Sequence, residues 1–397
     1  MIKDLSLKLR SLAVFRNLLS DCVINNLLSF CDCADKSAED AVSAYSLFVK
    51  SLYDNGSESL ADYVAEAVSR DENVYIKYKV KNEAVPPCIA QSVKNELLVL
   101  QEICDLSSKE LTDEIDCSCI LPSFTTKAID LSEFYAHRTE NIGQYGYGIY
   151  AKHRMFYLSE GKIVPVRNPD KTLFCELIDY KREQKILIDN TEALLSGKPA
   201  ANILLTGDAG TGKSSTVKAI VNELYNKGLR ILEVRKQQLK EIPQILDELN
   251  ENPLKFIIFI DDLSFRKDDD NFSALKAILE GSVSAKSQNV VIYATSNRRH
   301  LVKESFSDRD GDDIHRNDTM QEIISLSERF GIQITFSRPD KKTYLDIVHH
   351  LADAAKIQYE TEKIDLAAER FVLSRGTRSA RAAKQFVDNI ISGNIII

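Results

Sequence analysis

Long apolar runs are missing from this sequence, and nothing in it approaches the length of a membrane span. The start, Met1-Ile-Lys-Asp-Leu-Ser, carries an acid at position 4 and no unbroken apolar core of the kind a secretory leader has. A cytoplasmic protein without membrane contact is expected. Low-complexity stretches and internal repeats are absent too, and nine prolines in 397 residues are too few for a fibrous or disordered chain. Positive charge is not in excess: 51 Lys and Arg against 59 Asp and Glu give a formal net charge of -8. That balance argues against indiscriminate wrapping of nucleic acid and leaves room for a local basic patch. Cysteine is present eight times, but zinc-type spacing is not. The close pairs Cys31 with Cys33 and Cys117 with Cys119 leave one intervening residue, whereas structural zinc sites favour two to four. Reduced, mostly buried thiols are expected.

What is present is an ordinary globular composition, 44% apolar and 28% charged, in a chain long enough for two or three domains. Residues 1–121 carry apolar positions at three and four spacing, in Leu5 to Leu28, Ala41 to Tyr53, Leu60 to Val68 and Ile89 to Ile103, and predict a helical N-terminal domain. Residues 122–172 turn aromatic and glycine-punctuated, with alternation around Ile149 to Tyr157 and Lys162 to Val166, and read as a β-rich connecting segment of two or three strands. Arg138, Lys152, His153 and Arg154 among those aromatics suggest a grip on bases or a peptide; packing against a neighbouring domain is the plainer account. From 173 to 337 strands and helices alternate, which predicts a parallel α/β sheet. A polar stretch, Lys303 to Asn317, and a helix, Met320 to Phe330, precede its last strand. Residues 338–397 read as a helical lid, whose apolar end at Ile395 docks on the lid or on a partner.

The chemistry-bearing residues begin where an apolar strand, Asn202 to Thr206, runs into Gly207, Asp208, Ala209, Gly210, Thr211, Gly212, Lys213 and Ser214, followed by Ser215 and a helix. This is the phosphate-loop pattern in its required context. Glycines let backbone N–H groups face phosphate oxygens at a helix N-terminus, Lys213 reaches the β- and γ-phosphates, and Ser214 holds Mg²⁺. The strand Phe256 to Ile260 ends in Asp261 and Asp262. In a phosphate-loop ATPase the first acid organises Mg²⁺ and the second orients the attacking water. Many such ATPases carry Glu at the second place, and the shorter Asp262 predicts slower turnover. The next apolar strand, Val290 to Ala294, leads to Asn297, a neutral amide placed to sense the γ-phosphate. Arg329, closing a helix before the last strand, is the candidate arginine finger toward a neighbouring subunit; a cation favouring a helix C-terminus is the plainer account. Of the lid arginines Arg375, Arg378 and Arg381, the last is the candidate sensor and Arg378 the reserve, against a solvated basic face.

Over roughly Leu173 to Gly393 these residues resemble the AAA+ superfamily. The segments Thr295 to His300, Gly311 to His315 and Ser325 to Gly331 resemble a bacterial family of predicted ATPases catalogued as domain of unknown function 815. The resemblance implies a phosphate-loop domain with a five-stranded parallel sheet and a helical lid, ATP and Mg²⁺ between subunits of a homo-oligomer, and hydrolysis coupled to conformational work. The double aspartate also resembles the acidic motif of bacterial replication initiators and transposition helpers, a family-level hint toward DNA-associated proteins.

Three functional readings follow. The first is an ATPase that remodels an unknown protein or nucleoprotein partner as an oligomer. The second is a slowly hydrolysing, nucleotide-gated binding or loader module acting on DNA-associated proteins, for which the short Asp262 speaks. The third, a small-molecule kinase, is disfavoured by the extra strand Leu229 to Val234 between the loop strand and the acidic strand, and by the lid arginines. The sequence does not decide whether DNA is bound directly.

Overall fold

The structure is a computed structural model and describes residues 2–33, 37–264, 270–280, 288–297 and 328–395. It forms two compact units, Met1–Lys152 and His153–Ile397. Among the described residues no helix is long and apolar enough to cross a membrane.

The first unit is helical. In the helix Ala38–Asp54, Tyr45, Phe48, Val49 and Leu52 recur at the spacing of one helical face, and all four are fully buried. They meet Val23, Ile24, Leu27 and Phe30 from the helix Cys22–Cys33 in one core. Ser37, Ser59 and Asn73 cap the helices that follow them by accepting backbone N–H groups, and Ser107 with Glu110 forms a capping box.

The segment read as β-rich divides differently. Residues 131–152 are three short helices, Leu131–Glu140, Ile142–Tyr145 and Ile149–Lys152. Asp130 starts the first by accepting the Glu133 N–H, and Leu131 and Tyr135, four apart, bury into the helical core. The Tyr135 ring lies 5.3 Å from that of Phe15, edge to face. Aromatic content there serves packing.

Strands begin at β1 (Met155–Ser159) and β2 (Lys162–Pro165), a hairpin whose turn residues Glu160 and Gly161 both have positive φ, 50° and 72°. The other strands are β3 (Ile203–Gly207), β4 (Leu229–Glu233), β5 (Lys255–Ile260), β6 (Val290–Ser296) and β7 (Ile332–Phe336). The sheet order is β2-β1-β4-β5-β6-β3-β7, with every pairing parallel except β1 with β2. The expected parallel sheet is therefore present, with seven strands among the described residues in place of five. The addition is the hairpin, whose Met155 to Tyr157 pair with Ile231 to Glu233 and so cover what would be an open edge. Phe256 through Ile260 are all buried, as a strand covered on both faces requires.

Three helices, Lys341–Ala354, Thr361–Arg375 and Ala380–Ile391, form the lid around their own core of Tyr344, Ile347, Val348, Ile364, Phe386 and Val387. Ile178 and Ile395 pack against it. The polar stretch Lys303 to Asn317, the segments 298–300 and 311–315, and residues 320–327 of the expected helix lie outside the described residues. The cysteines of the two close pairs are in the reduced, thiol form, and burial pushes the Cys31 thiol up to about 12.

Candidate functional site

Parallel pairing brings the C-terminal ends of β3, β5 and β6 side by side, so the residues that follow each strand meet at one edge of the sheet. The loop after β3 turns through glycines at φ +139° (Gly207), +82° (Gly210) and +93° (Gly212). At Gly207 a side chain has no room: a Cβ there would lie 2.2 Å from the Phe336 carbonyl oxygen on β7. The loop delivers the chain into the helix Lys213–Leu224, whose first N–H groups have no partner within the helix.

Lys213 is only 5% exposed. Its ammonium donates to the carbonyls of Gly207 (2.7 Å) and Asp208 (2.8 Å) and to Asn297 Oδ1 (3.1 Å). Burial holds its pKa below the usual lysine value; Asp261, Asp208 and Asp262 oppose that shift, and the Arg381 charge adds to it. The Asn297 amide turns its Nδ2 to Asp262 Oδ1 at 2.7 Å, so one side chain links the loop lysine to the second acid. Ser214 Oγ donates to Asp261 Oδ1 at 2.7 Å. Asp262 itself is left-handed, φ +53°, an uncommon conformation that Asp tolerates better than most residues.

The lid reaches this edge. The helix Ala380–Ile391 begins at Ser379, whose side chain caps it by accepting the Ala382 N–H. The Arg381 N–H donates to the Gly210 carbonyl at 3.2 Å, and a Cβ on Gly210 would stand 3.0 Å from Arg381 Cβ. Arg378 is engaged elsewhere, forked onto Glu369 through Nε (3.3 Å) and Nη2 (2.9 Å). Arg375 lies over the Phe371 ring. Arg329 pairs with Glu280, at the end of the helix Asp270–Glu280. Ala209 is exposed and Thr211 buried, its hydroxyl donating to the Asp208 carbonyl at 2.9 Å.

Sequence reasoning did not single out three features. Thr295, 2% exposed on β6, donates through Oγ1 to Asp261 Oδ1 and accepts the Asp262 N–H at 2.9 Å. Arg338, between β7 and the lid, forks onto the Asp208 carboxylate through Nε (2.6 Å) and Nη2 (3.3 Å). Tyr180, left-handed with φ +63° beside Asp179 at +78°, donates its hydroxyl to the Ser337 carbonyl and packs its ring 4.8 Å from that of Phe336. Only Thr295 left a trace in the sequence, as a polar residue at the end of an apolar strand.

The family model described as Protein of unknown function (DUF815) matches residues 151–394, more than half of the chain. The chain belongs to that family. A mostly parallel sheet, a glycine loop after β3 and a helical lid after β7 are the layout that the resemblance to the AAA+ superfamily implied. Two solved structures are similar to it: a mutant of RuvB from Thermotoga maritima, at 17% identity over 57% of this chain and 66% of that one with a TM-score of 0.40, and the Thermotoga maritima RuvB Holliday junction branch migration motor, at 14% identity over 55% and 72% with a TM-score of 0.33. The chain thus spans just under two thirds of the first of these. No curated protein matches this DUF815 member in sequence.

Proposed function

We propose that this chain binds ATP with Mg²⁺ and hydrolyses it to drive a change in lid position that remodels a macromolecular partner. One observation carries the reading: two helix N-termini, at Lys213 and at Ala380, converge on a glycine loop with Lys213 and Arg381, across from a pair of aspartates. Such a concentration of positive field asks for a polyanion, and the facing carboxylates ask for a cation beside it.

Ser214 Oγ and Asp261 Oδ1, 2.7 Å apart, are hard oxygen donors and fit a magnesium site, directly or through water. The ion, when bound, offsets charge on the phosphates. Backbone amides of residues 207–215 grip the phosphates, Ser215 adding a second hydroxyl at the helix start, while Lys213 exchanges carbonyl partners for phosphate oxygens. Asp262 orients the attacking water, and Asn297 reports the γ-phosphate to it through the hydrogen bond it donates to the Asp262 carboxylate. Arg381 carries the same signal to the lid, and the engagement of Arg378 by Glu369 supports that choice. Ile178, packed against the lid core, and Tyr180, packed against Phe336, offer an apolar shelf for the base. In a homo-oligomer Arg329 leaves Glu280 and serves the neighbouring subunit's ATP.

A slowly hydrolysing, nucleotide-gated module, acting as a loader on DNA-associated proteins, is the second reading, favoured by the short Asp262 side chain already tied to Asn297. Steady-state turnover separates the two. If ATP binds but no turnover appears, alone or with DNA or cell extract, the machine fails and the module stands. Lys213→Ala abolishes binding under either reading. Mixing Arg329→Ala with Asp262→Ala subunits restores activity if sites are shared between subunits.

A further inference from the structure

We infer that Thr295 is a positioning residue that sets both aspartates through one hydroxyl, an inference that rests on the MgATP reading above. Thr295 lies near the end of β6, paired with Leu205 on the phosphate-loop strand, while its neighbour Ala294 pairs with Ile260 on the acidic strand. It therefore stands between the two motifs. Its Oγ1 donates to Asp261 Oδ1, the oxygen that also accepts Ser214 Oγ (2.7 Å) and the Asp262 N–H (3.2 Å). The same Oγ1 accepts the Asp262 N–H at 2.9 Å, and the Thr295 carbonyl accepts the Leu263 N–H at 2.7 Å.

The turn 261–263 thus hangs on one residue. Asp261 has one oxygen tied by three donors, which fixes the direction of its carboxylate. Asp262 is kept left-handed, φ +53°, with its carboxylate held at the Asn297 amide. Donor and acceptor capacity in one atom is what a hydroxyl supplies, and β-branching restricts where Thr295 Oγ1 can point. Valine has the same outline and neither capacity. Lys213 donates to the Gly207 and Asp208 carbonyls and to Asn297 Oδ1, partners apart from Thr295, so phosphate contacts do not depend on it.

The test uses the full chain, with a fluorescent ATP analogue titrated first without and then with rising Mg²⁺. Thr295→Val is expected to keep magnesium-free nucleotide affinity while raising the half-saturating Mg²⁺ about tenfold or more, as loss of a bond that orients a metal ligand does. Thr295→Ser returns it to within about threefold of the wild type, since the hydroxyl is restored. An unchanged magnesium dependence in Thr295→Val overturns the inference. So does an equal loss of magnesium-free affinity, or a serine variant no better than valine. Should the valine variant not fold, Thr295→Cys, with a weak donor and acceptor, reads the same shift, and no shift overturns the inference. A wild type whose nucleotide affinity is indifferent to Mg²⁺ overturns the MgATP reading itself, a result distinct from a normal wild type with an indifferent variant.

Discussion

Replacing Gly207 by alanine, beside Gly212→Ala as its partner, separates steric from conformational cost in the glycine loop after β3. Both glycines have positive φ, +139° and +93°, so each substitution strains the backbone, at about 1–3 kcal/mol for such regions. At Gly212 nothing lies within 4 Å of the added Cβ, and the cost ends there. At Gly207 the Cβ meets the Phe336 carbonyl oxygen at 2.2 Å and its carbonyl carbon at 3.0 Å. That oxygen belongs to backbone in register with Gly207 at the end of the β3–β7 ladder, so no rotamer change relieves the clash. Opening the strands adds roughly 1–3 kcal/mol of overpacking, for a total of about 2–6 kcal/mol, a large share of the ~5–15 kcal/mol that stabilises a typical domain. Phe336 also leads into Ser337 and Arg338, which hold Tyr180 and Asp208, so nucleotide affinity should fall together with stability. Urea denaturation of the nucleotide-free chain and an ATP titration measure the two effects. Equal denaturation midpoints for the two variants would refute the reasoning, because it places the difference wholly in the Phe336 contact.

Lys213→Met should stabilise the nucleotide-free chain at neutral pH while abolishing ATP binding. The sign follows from linkage: burial lowers the folded-state pKa of Lys213 below 10.5, so the charged form is disfavoured in the fold and the penalty is relieved as pH rises through the lowered value. The advantage of the variant should accordingly shrink toward pH 10.5, checked by denaturation at several pH values. Arg338→Ala removes the guanidinium fork from the Asp208 carboxylate, in the loop proposed to hold phosphate, and should weaken ATP binding, more so at low salt. Adding Asp208→Asn should restore it, as a titration of the double variant would read. Arg378→Ala should lower lid stability by removing the Glu369 fork and spare nucleotide affinity, whereas Arg381→Ala should do the reverse, as melting and binding curves on both variants would distinguish.

What the sequence determined by itself was the local chemistry: a glycine-spaced loop with Lys213, an apolar strand ending in Asp261 and Asp262, and their order along an alternating α/β chain. Those patterns are legible because glycine permissiveness, burial of β5 and helix periodicity act over a few neighbouring residues. The tertiary structure decided the pairings between residues far apart in the chain. It joined the hairpin at Met155 to β4, folded residues 131–152 as helices against a distant core, set Thr295 beside the two acids that follow β5, and tied Arg378 to Glu369 while placing Arg381 against Gly210. Each depends on which surfaces meet, and a hydroxyl or a guanidinium looks the same in sequence whether its partner is a carboxylate across the sheet or water.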